Sequence, residues 1–297
     1  MKRKFFINCR VNEYTMRDEN TNIPYTPDEI VRSAVECERA GASIIHFHAR
    51  NSDGTPCHDP DIYAEIVLKI HENTDLLIDS TLSRDLKEGD EERISHITKI
   101  GAASSTRPDF AAIDIGSTNI DAYDWKAKRF LTGDKVYKNS INTCLFLIER
   151  MKQAGVKPHF SCWTIAFLRT VEAFLDMGAI EEPAYLQLCL FEGGVVGAHP
   201  GTVKGLEAYL DFLPTNGRIV WSVLCKGGNL FAPAAVALER GGSIAVGLGD
   251  YTYPELGCPT NMEVVHRFAD LGRAIGLEVA TPAETRTILG LDAATGR

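Results

Sequence analysis

The chain has no apolar run long enough to span a bilayer, and its first residues, MKRKFFINCR, lack the apolar stretch of a secretory signal. Neither a membrane anchor nor an export signal is read from it. It also has no surplus of cations. Its 31 Lys and Arg against 40 Asp and Glu leave a net charge of −9, so little is available to neutralise phosphates. That balance argues against nucleic acid or an anionic membrane as a partner. No CxxC pair occurs among the 8 cysteines, which are scattered and mostly lie inside apolar runs. Such usage fits reduced, buried thiols in a cytoplasmic protein rather than a disulfide framework. Nor does a GxGxxG motif follow the first apolar run, which counts against a doubly wound dinucleotide fold.

What is present is a rhythm. Apolar runs of strand character at 5–11, 43–49, 76–82, 110–116, 157–163, 184–191, 218–226 and 243–250 alternate with amphipathic helical stretches. The helices are expected at 26–41, 61–73, 90–101, 139–155, 165–178, 202–214, 229–242 and 261–276, with a capped extra helix at 281–291. The first is punctuated at both ends: Thr26 caps it, Pro27 opens it, Glu29 closes a capping box and Gly41 stops it. The strands read as continuous apolar runs, the pattern of a parallel sheet buried on both faces. Eight β/α units without a break in composition point to the α/β class, a (β/α)8 TIM barrel with an extra C-terminal helix forming one domain over 1–297. Long polar segments follow several strands, at 12–25, 50–60, 83–89, 117–138, 192–201 and 251–260, and mark the functional face.

The second strand is unusual. In SIIHFHA, His46 and His48 stand two apart within an apolar strand, which puts both imidazoles on one face about 7 Å apart along the backbone. Two neutral imidazole nitrogens plus a carboxylate or water make a zinc-type site with an open position. In a barrel, other polar strand ends converge on the same mouth: Arg10, Asn12 and Glu13; Asp79, Ser80 and Thr81; Asp114 and Ser117; His159, Ser161 and Trp163; Glu192, Lys226 and Asp250. A core without a function would not bury this set, since each uncompensated charge costs several kcal/mol. A divalent metal at His46 and His48 would polarise a carbonyl, and Asp250 could remove the proton α to it. The small residues Ala245, Gly247 and Gly249 leave room for a substrate.

These residues resemble the β-keto acid cleavage enzymes, a family of the 3-keto-5-aminohexanoate cleavage type. AGASIIHFHARNSDG resembles the family block A-G-A-x-x-x-H-x-H-x-R-x-x-D-G, NIPYTPDEI resembles the segment leading into its first helix, and GLGDY, Thr260, Asn261 and ATPAETRTILGL resemble later blocks. The resemblance spans nearly the whole chain. It implies a zinc-bearing TIM barrel, a homotetramer, that condenses a β-keto acid with acetyl-CoA to give acetoacetate and a new acyl-CoA. It makes His46 and His48 metal ligands and Asp250 the base, with Ser80 or Thr81 assisting it. Asp114 and Ser117 fall in the substrate segment, and Glu13 lies within one position of a family glutamate that holds the substrate, with Tyr14 as the other alignment. Strand 8 departs from the pattern: where the family has R-x-G-x-E-D-N, the chain reads AVGLGDY. Ala245 replaces the arginine that supports the base, and Gly249 replaces the glutamate that completes the metal site. Glu13, Asp79, Asp114, His159, Glu192 or water could complete it, and Lys226 could restore the charge and serve substrate binding. Two other classes compete: a metal-dependent barrel hydrolase, and a barrel that binds a metabolite with altered or lost catalysis.

Overall fold

The structure, a computed structural model, describes residues 2–82 and 89–291. Eight parallel strands carry the fold: β1 (Ile7–Arg10), β2 (Ile44–Phe47), β3 (Leu77–Ser80), β4 (Phe110–Asp114), β5 (Lys157–Cys162), β6 (Ala184–Phe191), β7 (Ile219–Lys226) and β8 (Ser243–Val246). Each pairs with its sequence neighbours, β8 pairs with β1, and β5 pairs with both β4 and β6, so the sheet closes into a (β/α)8 barrel. Helices α1 (Pro27–Ala40), α2 (Pro60–Asn73), α3 (Asp90–Ile100), α4 (Ile141–Gln153), α5 (Ile165–Asp176), α6 (Val203–Leu210), α7 (Phe231–Glu239) and α8 (Asn261–Ala274) surround it. The extra helix α9 (Pro282–Ile288) follows.

Local chemistry explains several boundaries. Thr26 and Glu29 form the expected capping box of α1, and Gly41 ends it at a φ of 116°, where a Cβ is disfavoured. Thr260 with Glu263, and Thr281 with Glu284, cap α8 and α9 in the same way. The first apolar run differs from its reading as one strand over 5–11. Lys4–Phe5 pairs outside the barrel with Glu278–Val279, and only Ile7–Arg10 enters the barrel sheet. The C-terminal helix is also shorter than 281–291.

Alternation along the strands sorts the side chains. Phe6, Ile44, Leu77, Phe110 and Tyr185 close the lower end of the barrel with Ala280 and Leu289 from the C-terminal segment. Arg286 on α9 pairs with Asp109 at 2.7 Å and Lys157 donates to the Leu289 carbonyl at 2.7 Å, which fastens that segment beneath the barrel. One layer above the apolar plug, the inward positions become polar: Asn8, His46, Asp79, His159 and Gln187 are all buried. The segment after β4, read as a long polar loop at 117–138, folds into two small antiparallel ladders. Thr118–Asn119 pairs with Val136–Tyr137, and Tyr123–Asp124 with Arg129–Phe130. Of the expected functional loops, the one at 83–89 lies almost wholly outside the described residues.

Candidate functional site

Register brings the site together. Arg10 pairs with His46 and His46 with Asp79 across β1, β2 and β3, so three ionisable side chains line up on the inner wall. Arg10 and His46 open into a cavity of about 70 Å³ at the C-terminal ends of the strands, with Asp79 buried behind them. Glu13, His48, Thr81, Asp114, Ser161, Lys226 and Asp250 line it as well.

Its centre is a triad. One nitrogen each of His46 and His48 and one carboxylate oxygen of Glu13 lie within 4.8 Å of one another, all buried. Glu13 Oε1 is 2.9 Å from His46 Nε2, and Oε2 is 3.0 Å from His48 Nε2. Among the described residues this is the one cluster of His, Cys, Asp and Glu with ligand atoms close enough to hold a metal ion. Two imidazoles and a carboxylate match the donor set of an open zinc-type site. Behind it, Asp79 Oδ2 lies 3.3 Å from His46 Nδ1, an ion-pair contact without hydrogen-bond alignment, while the opposite nitrogen faces the triad.

The segment after β1 aims Glu13. Its φ is +40°, unusual for a residue with a side chain. Arg50 holds that turn by hydrogen bonds to the carbonyls of Asn12, Glu13 and Thr15. Asn12 ties the turn to β2, donating to the His48 carbonyl at 2.9 Å and accepting from the His48 amide at 2.9 Å. The end of β8 leaves the space: a Cβ on Gly249 would lie 2.7 Å from Glu13 Cγ and 2.8 Å from its backbone nitrogen. The carboxylate next to the histidines therefore comes from strand 1, with the bare glycine of strand 8 giving it room.

Arg10 makes a second substitution of the same kind. Its Nε is 2.8 Å from Asp250 Oδ2, its guanidinium also pairs with Glu13, and it donates to Gln187 at 3.1 Å. It thus stands beside the strand-8 aspartate that Ala245 leaves without a partner of its own strand. The Arg10–Asp250 contact is an ion pair without hydrogen-bond alignment, and neither Asp250 oxygen accepts a hydrogen bond among the described residues.

The electrostatics separate the two carboxylates. Burial would raise Glu13, but Arg10, His48, Lys226 and His46 outweigh it and hold the group well below the usual carboxylate range. Asp250 goes the other way: burial pushes it up, Arg10 opposes, and the charge of Glu13 adds to the rise. Burial and Arg10 push His46 down, yet Asp79 and Glu13 prevail and raise it. Burial also works against ionised Asp79, but His159 and His46 pull it well below its ordinary value. One acid that stays charged and one that holds a proton more readily is the division that acid–base chemistry uses.

The remaining expected residues divide. Lys226 reaches the cavity, 3.7 Å from Glu13 Oε2. Asp114 also faces it, accepting from Trp163 Nε1 at 2.8 Å and from the Tyr137 hydroxyl at 2.7 Å. Thr81 lines the cavity whereas Ser80 does not: with Asp79 inward, the next residue on a strand points to the helices. Ser117 stays out of the cavity lining and ties down the start of α4, donating to the Asn139 carbonyl and accepting from its amide. Arg93 and Tyr137 were not singled out by sequence reasoning. Arg93, from α3, donates to Tyr137 and Asn139, and Tyr137 stacks on Trp163 with an interplanar angle of 2°. Both lie far in sequence from any motif, and no local pattern signals their convergence.

A parallel eight-stranded barrel with a His–His–Glu triad and a second buried carboxylate at its functional end defines a TIM barrel of the candidate metalloenzyme class. The chain belongs to the β-keto acid cleavage enzyme family, whose model matches residues 4–291. It is 30% identical over 278 residues to the 3-keto-5-aminohexanoate cleavage enzyme of Acetoanaerobium sticklandii, covering 93% of each chain. It is 28% identical over 309 residues to the 3,5-dioxohexanoate:acetyl-CoA acetone transferase of Paraburkholderia graminis, covering 99% of this chain and 97% of that one. Among solved structures, apo ObcA matches with a TM-score of 0.71 at 16% identity, which supports the fold. That match covers 91% of this chain, which spans 65% of the length of ObcA. No helix among the described residues is long and apolar enough to cross a membrane.

Proposed function

We propose that the chain is a metal-dependent β-keto acid cleavage enzyme that condenses a β-keto acid with acetyl-CoA, giving acetoacetate and a new acyl-CoA. One observation carries the reading: Glu13, His46 and His48 converge in the cavity beside an Arg10–Asp250 pair. The names of relatives support the co-substrate, since they include acetyl-CoA-dependent transferases acting on 3,5-dioxohexanoate and 3-dehydrocarnitine. The arginine and glutamate missing from strand 8 favoured a barrel with altered catalysis. Arg10 at the end of strand 1 and Glu13 in the turn after it support the active reading instead.

Glu13, His46 and His48 would hold the metal, with Asp79 orienting His46. Zinc bound there supplies Lewis-acid polarisation of the keto-acid oxygen. Asp250 removes the α-proton, with Arg10 favouring its ionised carboxylate and Thr81 lining the same cavity. The α-carbon then attacks the acetyl thioester, forming a C–C bond as the C–S bond breaks and coenzyme A departs as the thiolate. That thiolate attacks the original keto carbon, the bond between this carbon and the α-carbon breaks, and Asp250 returns its proton to the α-carbon, releasing acetoacetate and the new acyl-CoA. Lys226 offers its ammonium to the substrate carboxylate, and Asp114 and Ser117 lie on the segment that borders the substrate. The reading extends to a homotetramer in the cytoplasm whose residues 1–297 act as one domain.

The test is direct. Purified protein loaded with zinc is offered a panel of β-keto acids with acetyl-CoA, and acyl-CoA products are identified by mass. Formation of acetoacetate together with the matching acyl-CoA is expected. A metal-loaded protein that releases neither from any member of the panel overturns the proposal.

A further inference from the structure

Across the cavity from the triad, Ser161 and His159 are polar groups that the proposed reaction does not use, and they are joined to it through Asp79. Ser161 lines the cavity, and its Oγ is 3.4 Å from His159 Nε2. His159 Nδ1 is 2.9 Å from Asp79 Oδ1. Ser161 and His159 are two apart on β5, so both point inward, and Asp79 reaches them from β3. His159 and Asp79 are wholly buried, and Asp79 Oδ2 also accepts from Asn8 at 3.0 Å.

The tautomer follows from the contacts. An ionised carboxylate accepts only, so His159 Nδ1 carries the proton it donates to Asp79. The other ring nitrogen, Nε2, is the one that faces the Ser161 hydroxyl. A hydroxyl facing a reactant space, an imidazole nitrogen within reach and a carboxylate orienting the far nitrogen make up a serine nucleophile, which is recognised by geometry and roles rather than by position in the chain. The polar layer of the barrel thus serves two ends of one cavity from a single carboxylate: Asp79 holds His46 with one oxygen and His159 with the other.

We infer that Ser161 is an activated nucleophile able to accept a short acyl group from a thioester or activated ester, giving the protein a hydrolytic activity independent of the metal. Ser161 Oγ bonds to the acyl carbon as the C–S bond breaks, and its proton passes through His159 Nε2 to the departing thiolate. Water then attacks the acyl-serine and gives a proton to His159, which returns it to Ser161 as the carboxylic acid leaves. The small cavity beside Ser161, about 70 Å³, favours a short acyl group such as acetyl.

The full-length protein is treated with a fluorophosphonate, both loaded with zinc and after chelation, and acetyl-CoA hydrolysis without keto acid is measured in parallel. One adduct per chain, mapped to Ser161 in both forms, is expected. Ser161→Ala should abolish the adduct and the hydrolysis, and His159→Gln should slow labelling by about 10²-fold or more. Should His159→Gln fail to fold, Ser161→Ala, which removes a single hydroxyl, decides alone. No adduct on the folded protein, an adduct on another residue, labelling confined to the zinc-loaded form, or hydrolysis undiminished in Ser161→Ala each overturns the assignment. Loss of keto-acid cleavage on chelation with Ser161 labelling retained keeps the two chemistries distinct.

Discussion

Replacing Arg10 with Gln tests how a strand-1 cation controls a strand-8 base. Arg10 Nε lies 2.8 Å from Asp250 Oδ2, and both side chains are buried. At an effective dielectric near 20, unit charges about 4 Å apart interact by about 4 kcal/mol, which corresponds to about three pKa units. Lys226 and His46 continue to favour ionised Asp250 in the variant, and the polar Gln side chain remains beside it. The expected rise therefore falls within the range of about 1–3 units seen for an aspartate beside an arginine. The sign is fixed by the role. A base works deprotonated, so a raised pKa moves the acid limb of kcat/KM to higher pH by about 1–3 units. Arg10→Lys, which keeps the charge but not the planar fork, should move the limb by less than Arg10→Gln. The assay is the pH profile of acyl-CoA formation at saturating zinc, with circular dichroism confirming the fold. A folded Arg10→Gln enzyme whose acid limb stays in place refutes the argument, even if its rate falls at every pH.

Glu13→Gln should weaken zinc binding by about 10³-fold, from about 4 kcal/mol of lost charge interaction, and His46→Ala should bring metal content sharply below one equivalent. Competition with a zinc chelator measures both, and unchanged affinity in Glu13→Gln removes Glu13 from the ligand set. Asp250→Asn should keep the fold and the metal while lowering kcat by about 10²–10⁴-fold; an undiminished kcat eliminates Asp250 as the base. Asp79, whose folded pKa is depressed, contributes stability that is present above its unfolded value of about 3.9 and is lost as pH falls toward its folded value. Thermal midpoints of the wild type should therefore drop more steeply below pH about 4 than those of Asp79→Asn, and parallel slopes would refute the linkage.

Much of the fold was legible because its signals are local. The capping boxes, the glycine stop of α1 and the apolar period of each strand need only neighbouring residues. Phe5 shows where such reading fails: the apolar run 5–11 is continuous in sequence, but Phe5 pairs with Val279 outside the barrel, a contact no window contains. The His46–His48 pair was visible for the same reason as the strands, since both lie on one face of one element. Arg10 was visible as a strand-end residue, but its pairing with Asp250 depends on the closure of β8 against β1. Strand alternation alone could have chosen Thr81 over Ser80. Tyr137 was out of reach, because it arrives on a hairpin that the sequence offers only as a polar segment.

The left-handed turn at Glu13 and the bare backbone of Gly249 also constrain how this site can change by mutation. An acid introduced at position 249 would collide with Glu13 before it could approach the histidines. Removing the Glu13 side chain would not free the position, because a Cβ at 249 would still lie 2.8 Å from the backbone nitrogen of residue 13 and 2.9 Å from the Arg10 carbonyl oxygen. A single exchange at position 249 therefore cannot move the third donor to strand 8 unless the turn after β1 shifts with it, and loss of Glu13 leaves the histidines without a neighbouring acid while position 249 is glycine.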